Sequence, residues 1–319
     1  MLVDNVFADF DQQAEQLTGH DQTYLQLSPG AFQGRFLSAF LGDDVAIHME
    51  FCNQSLEQEV GGSPDHISFG VVLSDRGPFI ANGKPLSKED VFVIPPSGSL
   101  HLVSPMSGAV MAIAIRRELF LCQPGLAPAV QDWVSGISGS PGFLHASRFA
   151  DRLREDAIAA MEGVAQTGTS APEAMIGQAV AASIASKLSL EWAGATADTG
   201  FGNTIAFDRF QNCRSWLRTG GELIDSSAEL AQLVQGSKRS VEQAFSTSVS
   251  MGPLTYLRLL RLHDVKRKLT DPLIANLSIG DIAAEHGFWD WSRFSQHYRR
   301  HFGELPSTTR QYLADQSRQ

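Results

Sequence analysis

The stretch that decides the fold of the carboxyl-terminal third is Gly287 to Ser307, which has the sequence GFWDWSRFSQHYRRHFGELPS. After the glycine, Phe294, Tyr298 and Phe302 recur at intervals of four residues. This spacing predicts a helix with one buried face, because residues four apart lie on the same side of a helix. We therefore expect a helix that is held by its apolar face and is free to project the opposite face outward.

A second stretch upstream repeats this plan. It begins with Leu230-Ala231-Gln232-Leu233, passes through Gly236, and continues into a segment where Val241 and Phe245 are spaced four apart. In the same way, Ile282-Ala283-Ala284 precedes the helix described above. A small residue lets two helices cross closely, and a glycine allows a sharp turn between them. A helix held in this way can place its outer face in a DNA major groove. The sequence thus predicts two helix-turn-helix motifs.

Helical periodicity continues through the whole of this region, with Gly and Pro near the predicted helix ends. The predicted helices are Ile205–Thr219, Ser227–Val234, Ser237–Thr247, Pro253–Leu269, Ser278–His286, Asp290–Phe302 and Pro306–Ala314. We expect an all-α domain over residues 205–319.

Residues Tyr24–Arg116 have short apolar runs with two-residue alternation, separated by turns rich in Gly, Pro, Asn and Asp. Such runs predict antiparallel strands at Ala31–Leu41, Val45–Cys52, Ile67–Leu73, Phe79–Ala81, Val91–Ile94, Leu100–Val103 and Val110–Ile115. Many short strands at this spacing indicate a small β-barrel or jelly roll. The chain is therefore predicted to be an α+β protein of several domains.

Two further helices are predicted at Ala146–Val164 and Pro172–Trp192, and each carries an apolar stripe. The stripes consist of Phe149, Leu153, Ala157 and Met161 on the first helix, and of Ile176, Val180, Ile184 and Leu188 on the second. Two interpretations stay open: the stripes pack on strands of the same chain, or the hairpin over residues 143–192 also pairs with a second subunit. Residues 193–204 are predicted to be a flexible linker.

Charge is divided unevenly along the chain, whose net charge is −10 at pH 7. Residues 205–319 contain 15 Lys and Arg against 12 Asp and Glu, a net of +3, so the first 204 residues hold 10 against 23, a net of −13. The acidic total therefore does not exclude nucleic-acid binding, because the basic residues lie where the helix-turn-helix motifs are predicted.

Composition argues against a membrane or exported protein. The hydrophobic fraction of 43% is that of a globular protein, and no run approaches the roughly 18 apolar residues of a membrane helix. The first sixteen residues carry acidic and no basic side chains, so we expect no signal peptide and a cytoplasmic location. Cys52, Cys122 and Cys213 are widely spaced and form no CxxC pair, which is typical of reduced thiols.

The stretch Gly287–Ser307 resembles the signature of AraC/XylS-type transcription regulators, with Gly-Phe, Ser-x-Phe, an aromatic-Arg pair, Phe-Gly and Pro-Ser in order. Residues upstream resemble that family at the same spacings, namely Leu230-Ala231, Ser237, Phe245, Pro253, Tyr256-Leu257 and Arg261-Leu262. The resemblance covers about Ile205–Arg310. One departure is Ser250, where the family usually has Gly. It leaves the geometry of that turn open, with Gly252 as the residue that would compensate.

The resemblance implies that Ser237–Phe245 is a first recognition helix and that the helix after Asp290 is a second. Their outward residues are candidate contacts to base edges: Arg239, Glu242 and Gln243 on the first, and Trp291, Ser292, Arg293, Ser295 and Gln296 on the second. Arg suits guanine, Gln suits adenine, and Glu can accept a hydrogen bond from cytosine. For Trp291, contact with thymine methyl groups and simple packing both stay open.

Other residues of this region are candidate contacts to DNA phosphates. They are Ser237, Lys238, Arg258, Arg299, Arg300, Ser307 and Thr308. Each charge alone is equally typical of a solvated helix face, so the prediction rests on the set. A net charge of only +3 predicts modest nonspecific affinity, and dimerisation or the RNA polymerase contacts that the family implies would be needed to occupy a promoter.

For the first 142 residues the resemblance implies a cupin-like barrel that senses a small molecule, with nearby helices that dimerise. Candidate ligand-binding residues are Arg35, His48, Glu50, His66 and His101. No His-x-His followed by Glu stands in the arrangement of a metal-bearing cupin. We therefore expect no metal, no cofactor and no catalytic residue.

These observations together predict a sequence-specific regulator of transcription, an activator that binds duplex DNA as a homodimer and responds to a small-molecule effector. Two alternatives stay open. One is a cupin-type, metal-dependent enzyme with a helical appendage, which requires a tightly bound divalent metal. The other is a constitutive dimeric DNA-binding protein, which requires no effector.

Overall fold

The computed structural model describes residues 1–16, 22–74, 76–167, 170–194, 196–197, 204–220, 224 and 226–316. The chain divides into two compact units. Unit 1 comprises Met1–Tyr24 and Gln33–Asn203, and unit 2 comprises Leu25–Phe32 and Thr204–Gln319. The eight residues from Leu25 to Phe32 therefore precede most of unit 1 in sequence but belong to unit 2.

Two antiparallel sheets form the framework of the amino-terminal part. Their strands are β1 (Leu2–Phe7), β2 (Gln22–Gln26), β3 (Gly34–Leu41), β4 (Val45–Cys52), β5 (Leu56–Gly61), β6 (His66–Val72), β7 (Phe79–Ala81), β8 (Lys84–Leu86), β9 (Asp90–Ile94), β10 (Ser99–Val103), β11 (Gly108–Arg116), β12 (Gly142–His145) and β13 (Thr196–Ala197). The larger sheet has the order β1-β3-β4-β11-β6-β9-β12-β13, and the smaller has the order β2-β5-β10-β7-β8.

All seven predicted strands are present, as β3, β4, β6, β7, β9, β10 and β11, and their ends lie within three residues of the predicted ones. The described strands form two sheets and do not close into one barrel. The α-helices among the described residues of this part are α1 (Phe10–Ala14), α2 (Arg117–Leu121), α3 (Pro128–Gly136), α4 (Ser147–Thr167) and α5 (Ser170–Glu191).

The main core of unit 1 lies between the larger sheet and the helices α4 and α5. Val45 and Ile47 of β4 point into it, as do Phe149 of α4 and Ile184 of α5. All the residues of the two predicted apolar stripes belong to this core or pack against it. The stripes therefore pack within unit 1. Pairing of the hairpin with a second subunit stays a prediction, and it would have to use other residues of the hairpin.

The opposite face of β4 is also buried, because the smaller sheet covers it. Glu50 and Cys52 lie on this face and are almost fully shielded from solvent. The two sheets thus enclose an inner space between them, lined by polar as well as apolar side chains.

The described residues of unit 2 from Ile205 onward are mainly helical. Its helices are α6 (Ile205–Gly220), α7 (Ser227–Leu233), α8 (Lys238–Val249), α9 (Pro253–Leu269), α10 (Ile279–Glu285), α11 (Trp291–Phe302) and α12 (Pro306–Gln316). These bounds agree with the seven predicted helices to within two residues at every end. None of the helices that the structure describes, in either unit, has the length and hydropathy needed to cross a membrane.

The segment Leu25–Phe32 packs against α9 and α11 within unit 2. The backbone carbonyl of Gln26 accepts hydrogen bonds from Nε2 of His263 (3.1 Å) and Nε2 of His301 (3.0 Å). In return, Nε2 of the Gln26 amide donates to the carbonyl of His301 at 2.9 Å. Burial lowers the pKa of His263 well below its ordinary value and that of His301 to about 4. Both rings are therefore neutral donors at neutral pH.

Candidate nucleic-acid interface

The first helix pair consists of α7 and α8, and hydroxyl side chains begin both helices. The Ser226 hydroxyl accepts a hydrogen bond from the Glu229 N–H (3.1 Å) at the start of α7. Ser237 and Ser240 form a reciprocal capping box at the start of α8. These caps fix the end of the turn, because they satisfy backbone N–H groups that a helix start leaves unpaired.

The turn within this pair differs from the prediction. Gln235 is the residue in the left-handed region, with φ of 52°, whereas Gly236 is not. The expectation that Gly236 supplies the sharp turn is therefore wrong. The preceding glutamine adopts the strained conformation, which any L residue other than glycine adopts at some cost.

The second helix pair consists of α10 and α11, and here the predicted turn is confirmed. Gly287 has a φ of +80°, and Gly303 ends α11 with a φ of +79°. The Asp290 carboxylate caps α11 by accepting a hydrogen bond from the Arg293 N–H at 3.0 Å. The acid also lies at the positive end of the helix dipole, where a negative charge is stabilising.

Buried apolar residues hold both pairs in place. Val241 and Phe245 of α8 are fully buried, and the Phe245 ring packs edge-on against Phe210 of α6 (5.1 Å) and Tyr256 of α9 (5.4 Å). In the second pair Phe294, Tyr298 and Phe302 are all buried, as their spacing predicts. The opposite faces of α8 and α11 are consequently the ones that meet solvent.

On α8 the three predicted base-contact residues are all exposed: Arg239, Glu242 and Gln243. Glu242 lies 3.8 Å from the ammonium group of Lys238, and the Gln243 amide donates a hydrogen bond to Thr247 at 3.1 Å. Both interactions are on the surface and each contributes little to stability. The side chains can therefore exchange them for contacts to another molecule.

On α11, Ser292, Arg293 and Gln296 are exposed and Ser295 is partly buried. For Trp291, the structure shows partial packing, and contact with thymine methyl groups stays a prediction. Half of its surface is exposed, while its ring centroid lies 5.6 Å from that of Phe294. One side of the indole thus packs on the helix core, and the other remains available for contact.

The predicted phosphate contacts lie at the surface with one exception. Ser237, Lys238, Arg258, Arg299, Arg300 and Ser307 are exposed, and Thr308 is partly buried. The Thr308 N–H donates to the carbonyl of Leu305 at 2.9 Å, so this backbone group is already engaged. At the start of α12 the Ser307 and Thr308 hydroxyls are therefore the donors best suited to a phosphate.

A basic groove runs between α9 and the start of α11. Arg258, Arg261 and Arg293 line it. The pKa of His297, which also lines the groove, is lowered by partial burial and by the nearby charges of Arg258, Arg293 and Arg300. Because the imidazole is neutral, the arginines supply the positive charge of the groove, which favours an anionic partner.

Trp289 is a feature of this groove that the sequence analysis missed. It lies in the turn before α11 and is 83% exposed. Tryptophan usually buries most of its large surface, so an exposed one is typical of a contact site. The sequence feature that could have indicated Trp289 is its position two residues before Trp291, in a predicted turn where no helical face requires an apolar residue.

Ser250 ends α8 in the left-handed conformation, with φ of 55°. The backbone therefore takes the form that glycine favours, although the residue is serine. Gly252 has an ordinary φ of −82° and serves as the N-cap of α9, so it does not compensate for Ser250.

The candidate ligand residues of unit 1 lie in different places. Only His48 and Glu50 line the space between the sheets. Arg35 is exposed and pairs with Asp4 at 2.6 Å, whereas His101 is buried against the Glu57 carboxylate at 2.9 Å. His66 is partly buried, and its Nδ1 lies 3.2 Å from the Ser63 hydroxyl. Among the residues that the structure describes, no three His, Cys, Asp or Glu side chains form a metal-binding group.

Comparison with known proteins identifies the helical region. Residues 230–312 match the family model described as a helix-turn-helix domain. The XylDLEGF operon transcriptional activator of Pseudomonas putida is 38% identical over 84 residues, which are 26% of this chain and 26% of that protein. Regulatory protein HrpB of Ralstonia nicotianae is 30% identical over 84 residues, 26% of this chain and 18% of that protein. The chain thus spans about a quarter of the length of the first of these relatives.

Among solved structures, the AraC-like transcriptional activator CuxR covers 82% of this chain and 94% of its own, with 16% identity and a TM-score of 0.44. An AraC-type DNA-binding-domain regulator from Chromobacterium violaceum covers 34% of this chain and 93% of its own, with 27% identity and a TM-score of 0.31.

Proposed function

We propose that the protein is a sequence-specific DNA-binding regulator of transcription of the AraC/XylS family, because residues 230–312 match a helix-turn-helix domain and a transcriptional activator is 38% identical over 84 residues. Each of the two helix pairs acts as a helix-turn-helix motif, with α8 and α11 as recognition helices. The single observation that carries this proposal is that both helices are anchored by buried aromatic residues and turn a polar face with an exposed arginine to solvent.

The helix α9 connects the two motifs and sets their separation. Its 17 residues span about 26 Å at roughly 1.5 Å per residue. Successive major-groove faces on one side of a duplex are about 34–36 Å apart. A connecting helix of this length, with a motif packed at either end, is suited to place α8 and α11 in neighbouring turns of one groove.

The exposed residues divide into two roles. Arg239 and Gln243 on α8, and Arg293 and Gln296 on α11, would read base edges, because their fork-shaped or paired polar groups match guanine and adenine. Lys238, Arg258, Arg299 and Arg300 would contact phosphates, with the hydroxyls of Ser307 and Thr308. Glu242, Ser292 and Ser295 complete the base-facing set, and Trp291 offers an apolar edge for thymine methyl groups.

Selection from a random duplex library, followed by fluorescence anisotropy on the selected duplex, tests this function. Replacement of a base-reading arginine removes about 1–3 kcal/mol of the binding free energy that discriminates the correct base. Arg239→Ala and Arg293→Ala should therefore each weaken specific binding by roughly 5- to 150-fold. The matched control is Arg267→Ala, an exposed arginine of the same domain whose guanidinium pairs with Asp264 at 2.9 Å. It should bind like the wild type. If both arginine variants keep the affinity and preferred sequence of the wild type, the proposed interface is wrong.

Phosphate contacts are distinguished from base contacts by their salt dependence. Arg299→Ala should weaken binding to selected and random duplexes alike and reduce the slope of log affinity against log salt by about 1. Arg293→Ala should instead lower the preference for the selected sequence. If both substitutions changed the sequence preference and the salt slope in the same way, the division into base and phosphate contacts would be wrong.

We further propose that the two sheets form a cupin-like sensor for a small-molecule effector, and that the protein activates transcription in the cytoplasm as a homodimer that contacts RNA polymerase. Ile158, Met175 and Leu190 of the hairpin helices are exposed and available to a second subunit. Sedimentation analysis of Ile158→Asp and Leu190→Asp tests the dimer, since both should yield monomers. Metal analysis of the purified protein tests the enzyme alternative, which requires a tightly bound divalent ion.

A further inference from the structure

Between the two sheets of unit 1 lies a cavity whose lining is largely apolar. Residues of both sheets contribute, for example Phe36 and Phe92 from the larger sheet and Leu100 from the smaller. The cavity has a volume of about 60 Å³. One ordered water needs roughly 10–15 Å³ on that measure, so the space admits a ligand of several non-hydrogen atoms.

The Glu50 carboxylate forms the polar end of this cavity. It accepts hydrogen bonds from the amide groups of Gln13 (2.7 Å) and Gln58 (3.0 Å) and from the Tyr24 hydroxyl, and the Cys52 thiol lies 3.6 Å away. The pKa of Glu50 is raised, because the effect of burial outweighs that of these hydrogen bonds, which lower it. Neutral donors alone thus surround the group, and no lysine or arginine pairs with it among the described residues.

A buried carboxylate with no cation beside it is unfavourable unless something compensates the charge. Hydrogen bonds offset part of the lost hydration of the ionised form, but they supply no opposite charge to it. The cavity beside Glu50 is consequently a place where a positively charged ligand is stabilised and an anionic one is repelled.

A second observation is the free acceptor atom of Gln22. When Glu50 is ionised its carboxylate can only accept, and the single hydroxyl proton of Tyr24 then points to Glu50. The Tyr24 oxygen must then accept from Gln22 Nε2, which lies 2.5 Å away. This chain of donors fixes the orientation of the Gln22 amide. Its Oε1 is buried and has no hydrogen-bond partner among the described residues, although Gln22 lines the cavity.

We propose that the cavity binds a small, largely apolar primary amine in its protonated form. The ammonium group has three donors, which suit the Glu50 carboxylate and the free Gln22 oxygen, and its charge neutralises the buried carboxylate. The hydrocarbon part occupies the apolar lining. A carboxylic acid of the same size meets like charge, and an alcohol supplies one donor and no charge.

The assignment of this cavity as the effector site rests on the proposed function. Ligand binding itself is measured without DNA. Isothermal titration calorimetry of the full chain at neutral pH compares benzylamine with benzyl alcohol and benzoate, and butylamine with butanol and butyrate. Each amine should bind at least ten-fold more tightly than its alcohol and its acid. Equal or tighter binding of the acids, or no binding of either amine, overturns the proposal.

Two variants locate the site. Glu50→Gln keeps the shape of the side chain but removes its charge, and it should lower amine affinity at least ten-fold while leaving alcohol affinity within two-fold. Gln22→Leu removes the free acceptor on a partly exposed residue, so it tests the site even if Glu50→Gln unfolds the protein. It should also weaken amine binding. Glu59→Gln, on the same strand as Gln58 but outside the cavity, is the matched control and should bind like the wild type.

Amine binding that survives both variants, with thermal unfolding showing them folded, overturns the assignment of the site. The two hypotheses fail in different ways. Amine binding without specific DNA binding overturns the proposed function alone, whereas specific DNA binding without amine binding overturns this inference alone.

Discussion

Acidification should destabilise unit 2 through His301. In the folded chain its ring is buried against the Gln26 carbonyl, and its pKa is lowered to about 4 from 6.5. An unfolded histidine becomes protonated below about pH 6.5, whereas the folded one stays neutral until about pH 4. Unfolding therefore takes up a proton over this range. The stability that the neutral ring contributes is present above pH 6.5 and is lost as the pH falls toward 4.

The size of the effect follows from the shift. A difference of one pKa unit corresponds to about 1.4 kcal/mol, so the shift in His301 is equivalent to roughly 3 kcal/mol when fully expressed. Between pH 7 and pH 5 about 2 kcal/mol of this should be lost. His263, whose pKa is also lowered by burial and by the neighbouring His301, acts in the same direction.

Nuclear magnetic resonance titration of the histidine ring protons measures the pKa directly. His145 is an internal comparison, because it is exposed and its hydrogen bond to Asp90 raises its pKa above 6.5. Urea unfolding at pH 7 and pH 5 then compares the wild type with His301→Gln, which cannot take up the proton. The wild type should lose about 2 kcal/mol more than the variant. A His301 pKa near 6.5, or equal losses in the two proteins, would contradict the buried, neutral state of this ring.

Three further predictions concern the packing of unit 2. Ser250→Gly should stabilise the protein by about 0.5–1 kcal/mol, because glycine adopts the left-handed conformation without the strain of a side chain; a lower melting temperature would contradict the backbone geometry. Thr309→Val removes a buried hydroxyl that lies 2.8 Å from the Tyr298 hydroxyl and donates to the Glu304 carboxylate (2.6 Å). It should lower the free energy of unfolding in urea by about 1–3 kcal/mol. No change would mean that these partners form other hydrogen bonds. Phe294→Ala should lower the free energy of unfolding by about 3–5 kcal/mol and abolish specific DNA binding, because it removes the buried ring that anchors α11. Full DNA affinity in a folded variant would contradict this role.

The helices of unit 2 could be predicted from sequence because their signals are local. The four-residue spacing of Phe294, Tyr298 and Phe302 marks one buried face, and Asp290 and Gly303 mark the two ends of α11. Each signal acts within one or two turns of its own helix. No knowledge of distant contacts is needed to interpret it.

Turns were predicted less well because residue type does not determine backbone conformation. Gly236 marked the first turn in the sequence, but the left-handed residue is Gln235. Gly252 likewise has an ordinary conformation, and Ser250 carries the positive φ. A residue other than glycine can adopt this conformation when the packing of the flanking helices outweighs the local strain.

Features that depend on distant parts of the chain were missed. The strand β5 carries the buried residues Glu57 and Gln58, and such polar residues conceal the apolar alternation that predicts a strand. The docking of Leu25–Phe32 in unit 2 depends on the Gln26 carbonyl meeting two histidines more than two hundred residues away. Local periodicity contains no trace of such a contact.

The candidate interface could be predicted only in part, because some of its features depend on how distant helices pack. Arg239 and Arg293 could be placed on outward faces, since the helical period alone assigns them. The basic groove could not be predicted, because Arg258 of α9 meets Arg293 of α11 only when the helices pack. Exposure of Trp289 likewise depends on the path of a turn rather than on a helical face.

Binding of α8 and α11 in neighbouring turns of one duplex can be checked by protection of the selected DNA from methylation by dimethyl sulfate. Because the recognition helices would cover guanine N7 in the major groove, we predict two patches of protected guanines about one helical turn, roughly 10 base pairs, apart on the same face of the duplex. Arg239→Ala should erase one patch and Arg293→Ala the other. A single patch, or two patches that survive both substitutions, would contradict this arrangement.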